Sequence, residues 1–244
     1  YIFENQPWEK SLIYNWKKSQ SGKIFGVINS SIRFWDTRFS KSKISPDFFL
    51  VNGEDSLNKL IDLSYDIKKL KVVESLRYEK LINNFKIENK SSNEVLVLLD
   101  YSEKSNKNLL EILNKSDLIK KSNIVLKKHP LNQSKKLNAN FKYQEFDDIK
   151  KKKYNLIICT NRTTASVDYL LKGMSLAILL EPNFLNFSPL KGNNECKFFK
   201  NYNELDQILK NNRNDKNNSG NVNSNFFMVN PNYSLWKEIF STYV

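Results

Sequence analysis

The chain has 244 residues and a formal net charge of +13, with 40% hydrophobic and 13% aromatic residues. That length supports one large or two modest cores, and no apolar run approaches the roughly 20 residues that span a bilayer. The charge admits nucleic acid, anionic lipid or an acidic substrate as partners, but no RNP-like, helix-turn-helix or zinc-finger signature supports nucleic acid.

Lysine and asparagine are abundant throughout, so much of the charge also reads as an ordinary solvated surface. Cys159 and Cys196 fit no metal spacing and read as reduced thiols of a cytosolic protein. The chain starts at Tyr1, and Tyr1–Phe3 already looks like the end of a strand, as in a fragment lacking its upstream part. Pro7 then opens a helix, with Trp8, Leu12, Ile13 and Trp16 as its apolar face. Glu4 and Asn5 therefore fall at a strand-to-helix junction, where open α/β sheets place functional groups. Lys23–Ile28 is the next strand. The loop Ser30–Phe39 (SSIRFWDTRF) reads either as packed surface with Trp35 as filler, or as a cleft wall from which Arg33 or Arg38 reaches an anion. Phe48–Val51 is a buried strand, Asp55–Leu63 a helix, Ile67–Val73 a strand and Glu74–Phe85 a helix. Polar residues Lys86–Asn93 form a linker, so the spacing predicts one domain over 1–88 and a second over 89–230.

The second half repeats the alternation. Glu94–Asp100 is a buried strand, Ser105 caps a helix through Leu113, and Asn123–Lys128 is a strand that runs into His129–Pro130. Phe141–Phe146 is a weaker strand, followed by Tyr154–Cys159, the polar turn Thr160–Thr164 and a helix stopped by Gly173. Ser175–Leu180 is a strand and Asn203–Leu209 a helix. Asn211–Asn225 reads as a mobile low-complexity loop, and 231–244 as a closing amphipathic helix. Strands alternating with helices imply parallel sheets covered on both faces, an α/β architecture.

His129 is the chain's single histidine. It follows a strand directly and can donate to a phosphate or pass a proton to a leaving group; it also reads as a plain loop histidine. Thr163 and Thr164 stand at a helix start, where hydroxyls and N–H groups bind phosphate or simply cap. Asp168, one turn on, is placed to accept ribose hydroxyls or to sit in solvent.

KKHP after one strand and TNRTTASVDYLLKG after another resemble the nucleotide half of GT-B glycosyltransferases. The likeness is to bacterial sialyltransferase and Kdo-transferase enzymes that use CMP-activated sugars. The stretches YIFENQPWEKSLIYNW, SSIRFWDTRF, PDFFLVNG and VVESLRYEKL are similar to a bacterial surface-carbohydrate biosynthesis family. The resemblance implies a metal-independent glycosyltransferase of two Rossmann-like domains facing a cleft, the first truncated at its amino end. Its donor nucleotide would be held by His129, Pro130, Thr160, Thr163, Thr164 and Asp168. The nucleotide sugar is a substrate, so no cofactor is implied. The acceptor would be a glycan or a lipid-linked sugar, with the basic surface held at the cytoplasmic membrane face and no nucleic acid involved. Threonines replace the family's serines, and Gly53–Glu54–Asp55 has the wrong order for the sialyltransferase acidic triplet. Glu4 stands in as the acceptor base, or else caps the Pro7 helix. Asn5, Glu9 and Arg33 are further substrate-side candidates. The rival readings are a GT-B nucleotide-sugar epimerase or hydrolase, and a basic polysaccharide- or nucleic-acid-binding module.

Overall fold

The computed structural model describes residues 1–19, 22–34, 36–78, 94–132, 137–146, 153–214 and 226–243. The chain divides into two compact units, one formed by Tyr1–Asn84 with Asn223–Val244 and the other by Phe85–Val222. The linker expected at Lys86–Asn93, with the boundary after 88, lies outside the described residues. So do Trp35 and the 215–225 part of the expected loop.

In the first unit, β1 (Phe25–Val27), β2 (Phe48–Val51) and β3 (Leu70–Val72) run parallel in that order. Ile2 bridges Val27 in parallel, so the first residues extend the same sheet beyond β1. Phe49 and Val51 on one face pack with Phe3, Ile28, Ile32, Phe39, Leu60 and Leu70. Phe48 and Phe25 on the other face meet the Tyr243 ring, at centroid distances of 4.9 and 5.6 Å. Among the described residues three helices belong to this unit: α1 (Pro7–Ser19), α2 (Glu54–Asp62) and α7 (Ser234–Tyr243).

Helix α1 does not bury the face expected of it. Glu9 and Ile13 are buried, whereas Trp8 is 57% exposed and Leu12 and Trp16 are each 38% exposed. The reason is local: the Glu9 carboxylate accepts the backbone N–H groups of Glu4 and Asn5, which turns that side of the helix inward. Of the helix expected over Glu74–Phe85, residues 74–78 are not helical and 79–85 lie outside the described residues. Glu74 caps α7 instead, accepting from the Ser234 hydroxyl and the N–H groups of Leu235 and Trp236.

Among the described residues the second unit holds six parallel strands: β4 (Glu94–Leu98), β5 (Asn123–Lys127), β6 (Tyr143–Glu145), β7 (Leu156–Thr160), β8 (Leu176–Leu179) and β9 (Cys196–Phe199). Their order is β6-β5-β4-β7-β8-β9. Counted from β4 this is 3-2-1-4-5-6, the doubly wound Rossmann arrangement, whose strand order reverses between β4 and β7. Val95, Val97, Ile124, Leu126, Ile158 and Leu179 on one face join α3 (Glu103–Lys115), α4 (Asp117–Lys120) and α6 (Tyr202–Asn214) in a single core. Helix α5 (Ala165–Leu171) packs on β7 and β8. Right-handed crossovers of parallel strands account for this layering.

Strand β9 was not anticipated, because CKFF is too short to show a period. Ser102, rather than Ser105, is the N-cap of α3, accepting the Ser105 N–H. Gly173 stops α5 as expected: its φ is 68°, its N–H bonds Leu170 and the next N–H, from Met174, bonds Tyr169, a Schellman arrangement. Among the described residues no helix is long and apolar enough to cross a membrane.

Candidate functional site

Ligands of open parallel sheets bind outside the carboxyl ends of the strands, where the order reverses. Here that point lies between β4 and β7. The register sets Leu98 opposite both Lys127 and Cys159. Two residues further on, Asp100, His129 and Asn161 end neighbouring strands at one level. The residues joined here come from segments far apart in sequence.

Asp100 is the hub. Its residue is 2% exposed. Oδ1 accepts the Ser102 N–H at 3.2 Å, and Oδ2 accepts the Thr160 hydroxyl at 3.0 Å. The Asp100 N–H donates to Asn106 Oδ1, and its carbonyl accepts from Asn106 Nδ2 and Asn132 Nδ2. Thr160 Oγ1 lies 3.1 Å from Thr163 Oγ1. Thr160 is therefore buried in a relay of hydroxyls and does not face a ligand directly, whereas Thr163 is half-buried and Thr164 exposed.

The two threonines do not cap α5. Thr164 has helical backbone angles and makes no side-chain cap bond, while the Thr163 carbonyl accepts the Ser166 hydroxyl. The expected capping is thus replaced by the Thr160–Thr163 contact. Asp168 sits half-buried in α5. Its charge acts on Lys172, whose ammonium pKa is lowered by burial first and by Lys127 next, with Asp168 opposing both.

His129 follows β5 as expected and is half-buried. Its Nδ1 accepts the Leu131 N–H at 3.3 Å. A ring nitrogen that accepts carries no proton, so the neutral tautomer bears its proton on Nε2 and presents a donor there. The Tyr101 ring stands edge-on at 6.1 Å. Pro130 opens a short 3-10 turn, Pro130–Asn132, and Asn132 Nδ2 ties that turn to the Tyr101 carbonyl at 2.9 Å.

The neighbouring β8 edge carries Glu181, 4% exposed, which accepts from Ser105 Oγ and Asn108 Nδ2, both at 2.9 Å. Asn161, 1% exposed, donates to the Leu185 carbonyl. The Arg162 guanidinium lies 5.3 Å from the centroid of Phe184 and 5.5 Å from that of Phe187. These ties fix the 181–188 segment to the same strand edge.

Sequence reasoning missed Asp100, Asn132, Asn161 and Glu181. A polar residue directly after a buried strand was the available signal for Asp100, but Asn132 and Thr160, two of the residues that bond it, are 32 and 60 positions away.

In the first unit, Glu4 and Asn5 follow the Ile2 bridge, at the carboxyl end of the sheet. The Glu4 side chain is half-exposed and its Oε1 lies 3.7 Å from Arg38 Nη1. Arg38 is gripped by Asp36 through Nε and Nη2, at 3.0 and 2.7 Å. Burial pushes the Asp36 carboxyl up, but the Arg38 hydrogen bonds outweigh it and hold it below the usual range. Asn5 has a φ of 56° and donates from Nδ2 to the Ser40 carbonyl at 3.1 Å. Arg33 is half-buried, and its charge also lowers the Asp36 pKa. The structure corrects one candidate: Glu9 is 1% exposed and both its oxygens accept backbone N–H groups, so it organises the junction and is closed to a substrate. Glu4 does not cap the Pro7 helix; Glu9 takes that side of the junction.

Both cysteines are free and buried, and burial pushes the Cys196 thiol up to about 12 and that of Cys159 higher still. Among the described residues no group of three or more His, Cys, Asp or Glu could hold a metal ion.

No family model matches the chain, and no curated protein matches it by sequence. Solved structures do match by shape. The UDP-GlcNAc 2-epimerase of Methanocaldococcus jannaschii, in complex with UDP-GlcNAc and UDP, aligns with a TM-score of 0.61 at 14% identity, covering 96% of this chain and 79% of that one. The UDP-N-acetylglucosamine 2-epimerase of Rickettsia bellii aligns at 0.52 and 14%, covering 98% and 78%. Anabaena HepE in complex with UDP aligns at 0.50 and 12%, covering 90% and 71%. At these identities the likeness concerns the fold, and the chain has the fold of the GT-B proteins, with two Rossmann-like units built on parallel sheets.

Proposed function

We propose that the chain is a nucleotide-sugar enzyme of the GT-B kind, a metal-independent glycosyltransferase moving a sugar onto a surface glycan or lipid-linked acceptor. The observation that carries this reading is the cluster of Asp100, His129, Thr160 and Thr163 at the strand-order reversal of a 3-2-1-4-5-6 sheet. Nucleotides bind such reversal points through strand-end loops.

In this reading His129, with its proton on Nε2, donates to the departing phosphate. Pro130 holds it in the turn after β5. The exposed Thr164 hydroxyl and the N–H groups of the Thr160–Thr164 turn add donors. Fixed donors aimed at developing charge stabilise a departing phosphate without a metal. Asp168 takes the ribose hydroxyls. In the first unit Glu4 deprotonates the acceptor hydroxyl, with Asn5 and Arg33 on the substrate side. The basic surface, at +13 overall, suits a peripheral position on anionic lipid at the cytoplasmic face. CMP is the donor base implied by the motif resemblance.

A second reading, a nucleotide-sugar epimerase or hydrolase, is favoured by the two 2-epimerases described above. The same phosphate site serves it, and UDP would then be the nucleotide.

A thermal-shift screen against CMP, UDP, GDP and their sugar conjugates tests the site. A ligand at a hundred times its Kd adds about 2.7 kcal/mol to the native state. We expect His129→Ala and Thr164→Ala to abolish the shift given by the best nucleotide. An unchanged shift in both variants would remove the site assignment. With the best conjugate in hand, transfer to an added glycan acceptor supports the transferase; a changed sugar, or free sugar without acceptor, supports the second reading.

A further inference from the structure

The hydroxyl relay at the β7 edge has a direction. Both Asp100 carboxylate oxygens are engaged, Oδ1 by Ser102 N–H and Oδ2 by Thr160 Oγ1. The residue is also locked at its backbone by Asn106 and Asn132, so it cannot swing away. The Thr160 hydroxyl donates to Asp100 Oδ2, so its proton is directed to Asp100. A hydroxyl has one proton, so across the 3.1 Å contact Thr160 accepts and Thr163 donates. The Thr163 proton is therefore turned inward, and half-buried Thr163 has lone pairs left to offer.

We propose that Asp100 fixes the polarity of this relay, so that Thr163 reads a ligand hydroxyl as an acceptor and does not bind phosphate. The proposal rests on the reading of this strand edge as a nucleotide-sugar site. A phosphate oxygen brought to Thr163 Oγ1 would set acceptor against acceptor. Turning the Thr163 proton outward would leave the Thr160 lone pair without its donor inside a buried network. A ribose or sugar hydroxyl complements the relay as it stands. The threonine pair, which looks like one phosphate motif in sequence, is thereby divided: Thr164 and His129 serve phosphate and Thr163 serves a hydroxyl. Asp100 acts as a positioning residue, through Thr160 and Thr163.

Calorimetric titration of the full chain tests this, with inorganic pyrophosphate, UDP or CMP, and the matching sugar conjugate as probes. Thr163→Val is expected to leave pyrophosphate affinity within about twofold, as Thr163 makes no direct phosphate bond, while a lost hydroxyl contact costs roughly tenfold. A loss already seen with the free nucleotide assigns the hydroxyl to ribose; a loss confined to the conjugate assigns it to the sugar. Thr163→Ser should restore binding. Asp100→Asn should reverse the relay, because a carboxamide can donate from Nδ2 to Thr160 while Oδ1 still accepts Ser102 N–H. In that background pyrophosphate should bind more tightly, and adding Thr163→Val should now weaken it. If Asp100→Asn fails to fold, Thr163→Val and Thr163→Ser in the wild type decide alone. The proposal is overturned if Thr163→Val weakens pyrophosphate as much as Thr164→Ala does, or if it changes no probe at all. When Thr164→Ala and His129→Ala weaken pyrophosphate but Thr163→Val does too, the polarity proposal alone fails. When none of the three has an effect, the phosphate site fails with it.

Discussion

Three buried carboxylates, Glu9, Glu74 and Glu181, could each be mistaken for catalytic groups, and each is instead saturated with hydrogen bonds from the chain. Glu74 allows a sharp test. Burial pushes its carboxyl up, but the N–H groups of Leu235, Glu74 itself and Trp236, with the Ser234 hydroxyl, hold it below the usual range. A depressed carboxyl contributes stability above its unfolded pKa, about 4.3, and that contribution is lost as pH falls through the folded value. Glu74→Gln should therefore cost about 1–2 kcal/mol at pH 7 by urea unfolding, from charge-assisted bonds at a helix start. The gap to wild type should close below about pH 4. A cost that stays constant down to pH 3 would show that shape rather than charge holds α7. What sequence made visible at this scale were residues with local signatures: His129 before Pro130, Thr163 with Thr164, Glu4 ahead of Pro7. Asn132 and Glu181 gave no such sign, and Asp100 only its place directly after a buried strand, because their meaning comes from partners brought close by the sheet.

At the scale of elements, turns decide where strands and helices end. Gly53 precedes α2, and a Cβ built there would lie 2.4 Å from the Phe226 carbonyl oxygen and 2.9 Å from Phe227 Cα. Backbone atoms cannot rotate away, so Gly53→Ala should destabilise the first unit by about 3 kcal/mol, the upper range for overpacking. Urea unfolding followed by tryptophan fluorescence reads this, since Trp8, Trp16 and Trp236 all lie in that unit. A loss under 0.5 kcal/mol, the ordinary surface range, would mean the 226–227 segment yields. The opposite sign is expected at Ser64, which ends α2 with a φ of 65° while the Tyr65 N–H reaches back to Leu60. Ser64→Gly relieves a left-handed residue and should gain up to about 1 kcal/mol. Most strands and helices were legible from apolar runs and punctuation, as at Phe48–Val51 and Gly173. The sequence pattern misplaces the face of helix α1, because a buried glutamate outweighs Trp8, Leu12 and Trp16 in orienting it, while Ile13 of the same pattern stays buried. Strand β9 escaped because four residues carry no period.

At the scale of the whole molecule, alternation of strands and helices made the α/β class legible, and the 3-2-1-4-5-6 order gave the second unit its reversal point. The order itself was not in the sequence: parallel neighbours are chosen by crossover handedness and burial, which no local window encodes. The chemistry then follows from position. Strand ends that are distant in sequence supply an imidazole donor, a hydroxyl relay and a carboxylate hub at one edge. In the proposed function this edge holds the nucleotide. Hydrogen exchange of the backbone amides, with and without the nucleotide that stabilises the chain best, tests it most directly. Protection is expected at 99–101, 129–132 and 160–164. Protection elsewhere, with these three strand ends unchanged, would contradict it.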